Sequence, residues 1–226
     1  MLGLYIGIIL LLNIPYVQHQ MSVLVAKELS SVLGSRLTIG RINIGLLNRI
    51  IIDDLMLNDQ SGKELLKVGR LSAKFEILPL FNGRISIGNV QLFSFNANLE
   101  KPTPQATSNF QFVLDAFASK DTIKKKSNLD LRINSLLIRR GRVSYDVLSA
   151  ERTPGKFNPQ HIRLSNILAN ISLKALQSDS INAAIKRMSV EEDHSGFELK
   201  KLSLKIVANN KKMWIDNFAI DLPNTS

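Results

Sequence analysis

The feature that most constrains the fold of this chain is an alternation of apolar and polar residues that breaks once and then resumes. In the segment RISIGNVQLF, residues 84–93, Ile85 and Ile87 share one parity, whereas Val90 and Leu92 share the other. Such alternation is typical of a β-strand with one apolar face. One extra residue must be absorbed at Gly88, and a β-bulge there would keep all four apolar side chains on the same face.

The same break recurs along the chain. RLTIGRINIG, residues 36–45, repeats the phrase and places a second predicted bulge at Gly40. Further breaks follow Leu164, Leu199 and Ile215. Successive long strands of this kind, with little helix to cover them, predict a mainly β fold with a few helices. The alternation leaves open an ordinary β-sandwich, in which a second sheet covers the apolar face.

The N-terminal run MLGLYIGIILLLNIPY contains no charged residue, which predicts a membrane anchor over residues 1–16. Its apolar side chains are Leu4, Ile6, Ile8, Ile9, Leu10, Leu11 and Leu12. No small-residue cleavage site follows. Because a span needs roughly 20 apolar residues, either the true start lies upstream or the helix extends past Pro15. A buried helix of a soluble domain is the alternative.

Residues 17–34 predict an amphipathic helix that ends at Gly34. Its apolar residues are Val17, Met21, Leu24, Val25, Leu29, Val32 and Leu33, whereas Gln18, Gln20, Lys27 and Ser30 take the other face. Such a helix either lies on a bilayer or closes one end of a sheet.

Other local patterns predict shorter elements. The linker at 102–128 contains apolar residues at helical spacing from Phe110 to Phe117, which predicts a short covering helix. Residues 179–188 give a weaker helical pattern, and one helical turn is predicted between Ile77 and Phe81. A turn is predicted over 58–62, and a tight turn between two strands is predicted at Arg140–Gly141.

The sequence favours neither catalysis nor metal binding. There is no cysteine, so disulfides and thiolate chemistry are excluded. His19, His161 and His194 lie far apart in the sequence, and the acidic cluster at 191–194 precedes Ser195 and a glycine, which is typical of a turn. No nucleophile elbow, phosphate-binding loop or zinc-binding phrase occurs. We therefore expect no enzymatic activity, no metal and no cofactor.

The net charge of +10 favours anionic partners. The basic residues include Arg139, Arg140, Arg142, Lys200, Lys201, Lys211 and Lys212, and no recognised DNA or RNA module accompanies them. We expect these residues to favour an anionic membrane surface, and we expect no nucleic-acid partner.

Several ordered phrases resemble one family. The anchor, the phrase LGSRLTIGRINIG and the segments VGRLSAKFEILPLFNGRISIGNVQLFSFNANLEK, NFQFVLDAFASKD and LRINSLLIRRGRVSYD together resemble the N-terminal portion of TamB proteins. TamB, the inner-membrane subunit of the translocation and assembly module, belongs to the AsmA-like, bridge-type lipid transfer superfamily. The wording is similar to its Bacteroidetes branch. Since members of the family are much longer, the chain is expected to be a fragment.

The resemblance implies an elongated, taco-shaped β-groove with an apolar interior. It also implies a single-pass protein of the bacterial inner membrane whose β-region lies in the periplasm. The groove would carry phospholipid between the inner and outer membranes, and the missing C-terminal part would contact an Omp85-family outer-membrane protein. The alternatives are a scaffold for outer-membrane protein assembly and secretion, and a passive envelope tether.

The predicted organisation is an anchor at 1–16, an amphipathic helix at 17–34, a first AsmA-like β unit at 35–101, a linker at 102–128, and a second β unit at 129–226 that continues beyond the fragment. An acyl chain exposed to water costs roughly 0.8 kcal/mol per CH₂, so a continuous apolar surface would favour its transfer. The residues predicted to line that surface are Ile42, Ile44, Ile85, Ile87, Val90, Leu92, Leu136, Ile138, Val143, Leu164, Ile171, Leu202 and Leu204.

Overall fold

The structure, a computed structural model, describes residues 3, 7, 10–45, 48–76, 85–118, 129–130, 134–177, 180–209 and 212–223. Its helices include α1 (Pro15–Leu33) and α2 (Gln111–Ala118), and residues 10–12 are also helical. The strands are β1 (Leu37–Gly45), β2 (Arg49–Asn58), β3 (Glu64–Glu76), β4 (Ile85–Lys101), β5 (Leu129–Asp130), β6 (Ser135–Val147), β7 (His161–Gln177), β8 (Ser180–Glu192), β9 (Phe197–Asn209) and β10 (Met213–Asp221). The prediction of a mainly β fold with a few helices is confirmed.

All of these strands belong to one mixed sheet, whose order is β1-β2-β3-β4-β6-β7-β8-β9-β10. Neighbouring strands on this path are antiparallel except for β4 and β6, which are parallel, and the short β5 also pairs with β4 in parallel. β1 and β10 form the two edges, so the sheet is not closed. In the described part of the chain, no second sheet covers it.

Helix α1 begins at Pro15 and ends at Gly34. Proline suits the first turn because it lacks an N–H that would have no partner there. Gly34 adopts a left-handed conformation with φ 61°, and its N–H donates to the Ser30 carbonyl. The helix therefore starts two residues before the predicted boundary.

The side of α1 that contacts the protein carries polar residues beside the apolar Ala26 and Leu33, which corrects the predicted faces of Gln18 and Ser30. Ser30 Oγ accepts a hydrogen bond from the Leu37 N–H at 2.9 Å, and Gln18 Nε2 donates to Asn43 Oδ1 at 2.6 Å. Asn13 Nδ2 donates to the Ile44 carbonyl at 3.0 Å. Because the edge of a sheet leaves backbone groups unpaired, polar side chains are needed where α1 lies along β1.

Helix α2 covers the apolar residues at one end of the sheet. Leu37, Leu57 and Leu65 form a buried cluster there. Residues of both helices and their flanks pack against it, namely Ala26, Leu33, Phe110, Phe112 and Val113. The predicted covering helix is therefore present. Asn109, which precedes α2, binds the backbone of β4 at Asn98 and Glu100.

Two local predictions are wrong. Residues 180–192 form strand β8 and not the predicted helix. The prediction failed because a strand whose alternation breaks near Lys186 also places apolar residues at helix-like spacing. Arg140–Gly141 is not a turn, since β6 runs through it without interruption. The predicted turn near 58–62 is present, with Gly62 at φ 89°. The helical turn predicted at Ile77–Phe81 lies outside the described residues.

Candidate functional site

One side of the sheet carries continuous rows of apolar residues, which we call the apolar face. The pairing of strands joins one row across eight strands, formed by Ile44, Ile50, Ala73, Val90, Leu136, Ile171, Ile185 and Leu204. A second row crosses all nine strands of the path, formed by Ile42, Ile52, Leu71, Leu92, Ile138, Ala169, Met188, Leu202 and Ile220. These two neighbouring rows contain no polar side chain.

The predicted surface residues fall largely on these rows. Ile44, Val90, Leu136, Ile171 and Leu204 lie on the first, and Ile42, Leu92, Ile138 and Leu202 lie on the second. Val143 and Leu164 are paired with each other further along the strands. Ile85 and Ile87 lie in β4, but their side chains lie outside the described part of the structure.

Sequence reasoning omitted the remaining members of the rows from the predicted surface. Ile50, Ile52, Leu71 and Ala73 follow the same alternation as the chosen residues, so the signal for them was present in the sequence. Ala169, Ile185 and Met188 carried a weaker signal, because one is small and two fell within the segment predicted as helix. Only the register of the strands joins all of them into rows.

The apolar face continues along the strands because most strands shift their alternation of apolar and polar residues by one position, and they do so at nearly the same height in the sheet. Asp54, Ser94, Arg140 and Asn166 have φ between 50° and 55°, and they lie at nearly the same level on β2, β4, β6 and β7. Asp and Asn tolerate this left-handed conformation better than most residues. We call these four the switch residues. At each of these residues the backbone turns so that the apolar side chains before and after it lie on the same face of the sheet.

The two predicted bulges have different outcomes. Between β3 and β4 the register shifts by one residue at Gly88, where a bulge was predicted. At Gly40 there is no register shift, because Ile39 pairs with Leu55 and Arg41 with Asp53. Gly40 instead lies opposite the switch residue Asp54, so both strands change parity together. A Cβ at Gly40 would lie 3.0 Å from Asp54 Cβ, which explains the glycine.

Burial on the apolar face is partial over most of its area. Ile42 is only 4% exposed, whereas Ile44, Leu92, Ile138 and Leu202 are half-buried. A second buried cluster, Ile167, Val190 and Leu199, has Phe95, Ile138, Val143, Leu164, Leu202 and Leu222 packed against it. The described helices cover the cluster around Leu37, and no described element covers the cluster around Ile167.

The opposite side of the sheet is mainly polar, with Ile51, Phe93 and Leu137 among its few apolar residues. A cleft of about 620 Å³ follows the switch residues there, and Arg41, Asp53, Arg70, Phe93 and Arg140 are among its lining residues. Arg70 Nε donates to Asp53 Oδ1 at 2.6 Å. This hydrogen bond and the charge of Asp53 raise the pKa of Arg70 above its usual value. The two faces therefore differ sharply in chemistry.

The structure brings together two histidines that are distant in sequence. His161 is buried, with Nδ1 2.8 Å from Asp146 Oδ1 and Nε2 3.1 Å from the Ala150 carbonyl. His194 Nδ1 lies 3.3 Å from the His161 carbonyl. Within the described residues, no group of three or more histidine, aspartate or glutamate side chains is arranged to hold a metal ion.

The acidic cluster at 191–194 lies at the β8–β9 turn, as predicted. Burial raises the pKa of Glu192, but hydrogen bonds from the Ser195 hydroxyl and N–H and from the Arg163 N–H outweigh that effect and lower the pKa to about 2. Glu192 is 2% exposed and stays ionised at neutral pH. Glu192 therefore connects Ser195 of the β8–β9 turn with Arg163 of β7 through hydrogen bonds.

Strand β10 differs from the interior strands because all nine of its residues are exposed. Its large apolar side chains, Met213, Trp214, Ile215, Phe218 and Ile220, are about half exposed. The other edge of the sheet, β1, is lined by α1. The two edges are therefore unequal, and β10 has no comparable cover in the described structure.

Comparisons with known proteins supply no family assignment, since no family model and no curated protein matches the chain. A search of the described helices finds none with the length and apolar character that crossing a membrane requires. Of the predicted anchor side chains, Leu10, Leu11 and Leu12 are described, whereas Leu4, Ile6, Ile8 and Ile9 lie outside the described residues.

Proposed function

We propose that the apolar face binds the acyl chains of phospholipid and carries them along the sheet. The observation that supports this proposal is the second apolar row, which crosses all nine strands of the path without a polar side chain. With strands about 4.8 Å apart, the row extends over roughly 40 Å. One leaflet of a bilayer core is about 15 Å thick, so the row exceeds the length of an acyl chain.

The proposed shape is a groove curved towards the apolar face. Side chains on a flat, uncovered sheet would be largely exposed, whereas Leu92, Ile138 and Leu202 are half-buried without a second layer above their strands. Curvature towards this face would let neighbouring side chains shield one another. The lipid head group would then remain in solvent while each CH₂ of the acyl chain gains roughly 0.8 kcal/mol.

The proposal extends to location and partners through the resemblance to TamB proteins. The protein would be held in the inner membrane of a diderm bacterium by residues 1–16, with its sheet in the periplasm and an Omp85-family protein at the outer membrane. This role requires binding and transfer of lipid and no catalysis. The positive net charge is suited to anionic lipid head groups.

Photo-cross-linking of neighbouring residues on opposite faces tests lipid binding. A cross-linking amino acid placed at Leu92 lies on the apolar row, whereas one at Gln91 lies on the polar face of the same strand. Leu202 and Ser203 form an equivalent pair on β9. With the full chain in its native membrane, we expect phospholipid adducts at Leu92 and Leu202 and few at Gln91 and Ser203. Equal lipid capture on both faces, or none, would reject the proposal.

A second function, a scaffold for outer-membrane protein assembly, is favoured by the uncovered edge strand β10. An open edge can pair with an extended client strand through backbone hydrogen bonds. A cross-linker at Trp214, which is exposed on β10, should then capture β-rich client proteins. Protein adducts at Trp214 without lipid at Leu92 would favour this function over lipid transfer. If neither protein nor lipid adducts form, the passive tether is the interpretation that remains.

A further inference from the structure

The first half of helix α1 presents several apolar side chains to solvent and two polar ones, Gln18 and Ser22, to the protein. Ser22 is fully buried and Gln18 nearly so, while Tyr16, Val23, Leu24 and Val32 are about half exposed or more. Apolar residues of a surface helix ordinarily face the core. This reversed arrangement means that the packing of α1 on β1 leaves apolar surface uncovered.

The exposed apolar surface continues into the residues before α1. Leu10, Leu11 and Ile14 are each about half exposed or more. The first Asp, Glu, Lys or Arg of the sequence is Lys27, so the surface from Leu10 to Leu24 contains none of these four residue types. A bilayer is suited to such a surface because it demands apolar contact and no specific polar partner.

Three polar side chains of this segment, those of Asn13, Gln18 and Ser22, already have partners within the protein. Ser22 Oγ donates to a carbonyl within α1, with the Gln18 and His19 carbonyls at 3.0 and 2.9 Å. Asn13 and Gln18 bind β1 and each other. Contact with hydrocarbon would therefore leave these three side chains hydrogen-bonded, which lowers the cost of placing this part of the helix at a lipid surface.

From these observations we infer that residues 10–24 form a bilayer-contacting surface, with the first half of α1 lying in the membrane interface. Lys27 and Glu28, both exposed, mark the point where the helix leaves it. Since α1 lies along β1, this contact places the β1 edge of the sheet beside the bilayer. Both apolar rows begin at β1, so the inference extends the proposed function by assigning the end at which lipid would enter.

Site-specific fluorescence tests the inference without relying on lipid transfer. The chain has no cysteine, so a single cysteine carries one environment-sensitive label in the full chain. Leu24→Cys probes the surface, and His19→Cys probes an exposed position on another side of the same helix. Phe218→Cys is the matched control on β10, because Phe218 is 59% exposed and Leu24 is 61% exposed.

With vesicles of phosphatidylethanolamine and phosphatidylglycerol, we expect the label at 24 to shift to the blue. We also expect its quenching by lipids that carry a shallow quencher to be at least roughly twofold greater than at 19 or 218. Equal quenching at the three positions, or no quenching at any of them, would overturn the inference. A blue shift at position 24 that depends on protein concentration in the absence of vesicles would also overturn it, because a second copy of the chain would then cover the surface. If the inference fails in this way but phospholipid adducts still form at Leu92, the proposed lipid binding by the apolar face stands.

Discussion

Gly141 offers a sharp test of how the apolar face is packed. A Cβ placed on Gly141 would lie 2.7 Å from Cζ and 3.0 Å from Cδ1 of Phe95, well inside the ordinary contact of about 3.5–4.0 Å between carbon atoms. Gly141 does not have a positive φ, so alanine is compatible with its backbone conformation. Any destabilisation by Gly141→Ala must therefore come from the contact with the ring.

The expected magnitude follows from two opposing effects. Overpacking costs about 1–3 kcal/mol, because Phe95 is held against the buried cluster around Ile167 and must move as a rigid ring. Replacing glycine lowers the entropy of the unfolded chain and returns about 0.4–1 kcal/mol. We therefore expect Gly141→Ala to lower the free energy of unfolding by about 1–2 kcal/mol.

Urea unfolding followed by circular dichroism measures this loss. With a slope of about 2 kcal/mol per M, the midpoint should fall by roughly 0.5–1 M. Gly45→Ala is the matched control, because a Cβ there meets no atom closer than 3.6 Å. In a Phe95→Leu background the effect of Gly141→Ala should shrink. Equal midpoints for Gly141→Ala and Gly45→Ala would refute the assigned contact.

Two further predictions concern the edge and the turn. Ser30→Ala removes the acceptor of the Leu37 N–H, so it should cost about 1–2 kcal/mol and speed hydrogen exchange at that amide, whereas Ser31→Ala, at the exposed neighbour, should do neither. The pKa of Glu192 is lower in the folded than in the unfolded chain, so its ionised carboxylate contributes up to about 3 kcal/mol to the free energy of unfolding above pH 4.5. This contribution is lost as the pH falls towards 2, and Glu192→Gln should remove it. Acid unfolding monitored between these pH values should thus become flatter for Glu192→Gln than for Glu151→Gln, and an unchanged profile would contradict the assigned hydrogen bonds.

The success of the strand predictions has a local cause. Side chains of a strand alternate between two faces whatever lies beside it, so the broken alternation of residues 161–173 and 197–206 identified both the strands and the positions where their parity changes. The helix predicted at 179–188 failed because its apolar spacing fits both a helix and a strand with one break. Only pairing with β7 and β9 decides between them.

The sequence also underdetermined α1 and the region around Arg140. Gln18 and Ser30 are polar, so their pattern alone predicts solvent exposure. In the structure Ser30 accepts from the unpaired Leu37 N–H of β1, and Gln18 donates to the side chain of Asn43 on the same strand. Arg140–Gly141 has the composition of a turn. In the structure, Phe95 occupies the space above Gly141, and Arg140 takes the left-handed conformation within a continuous strand.

The sequence by itself determined the mainly β class, the one-sided apolar character of most strands and several of the places where the alternation shifts, because these depend on neighbours along the chain. Tertiary structure alone decided that Ile42 and Ile220, at opposite edges, terminate a single apolar row. It also decided that α1 directs polar side chains inward. Both depend on strand order, register and the unsatisfied groups of a sheet edge, which are properties of contacts between segments remote in sequence.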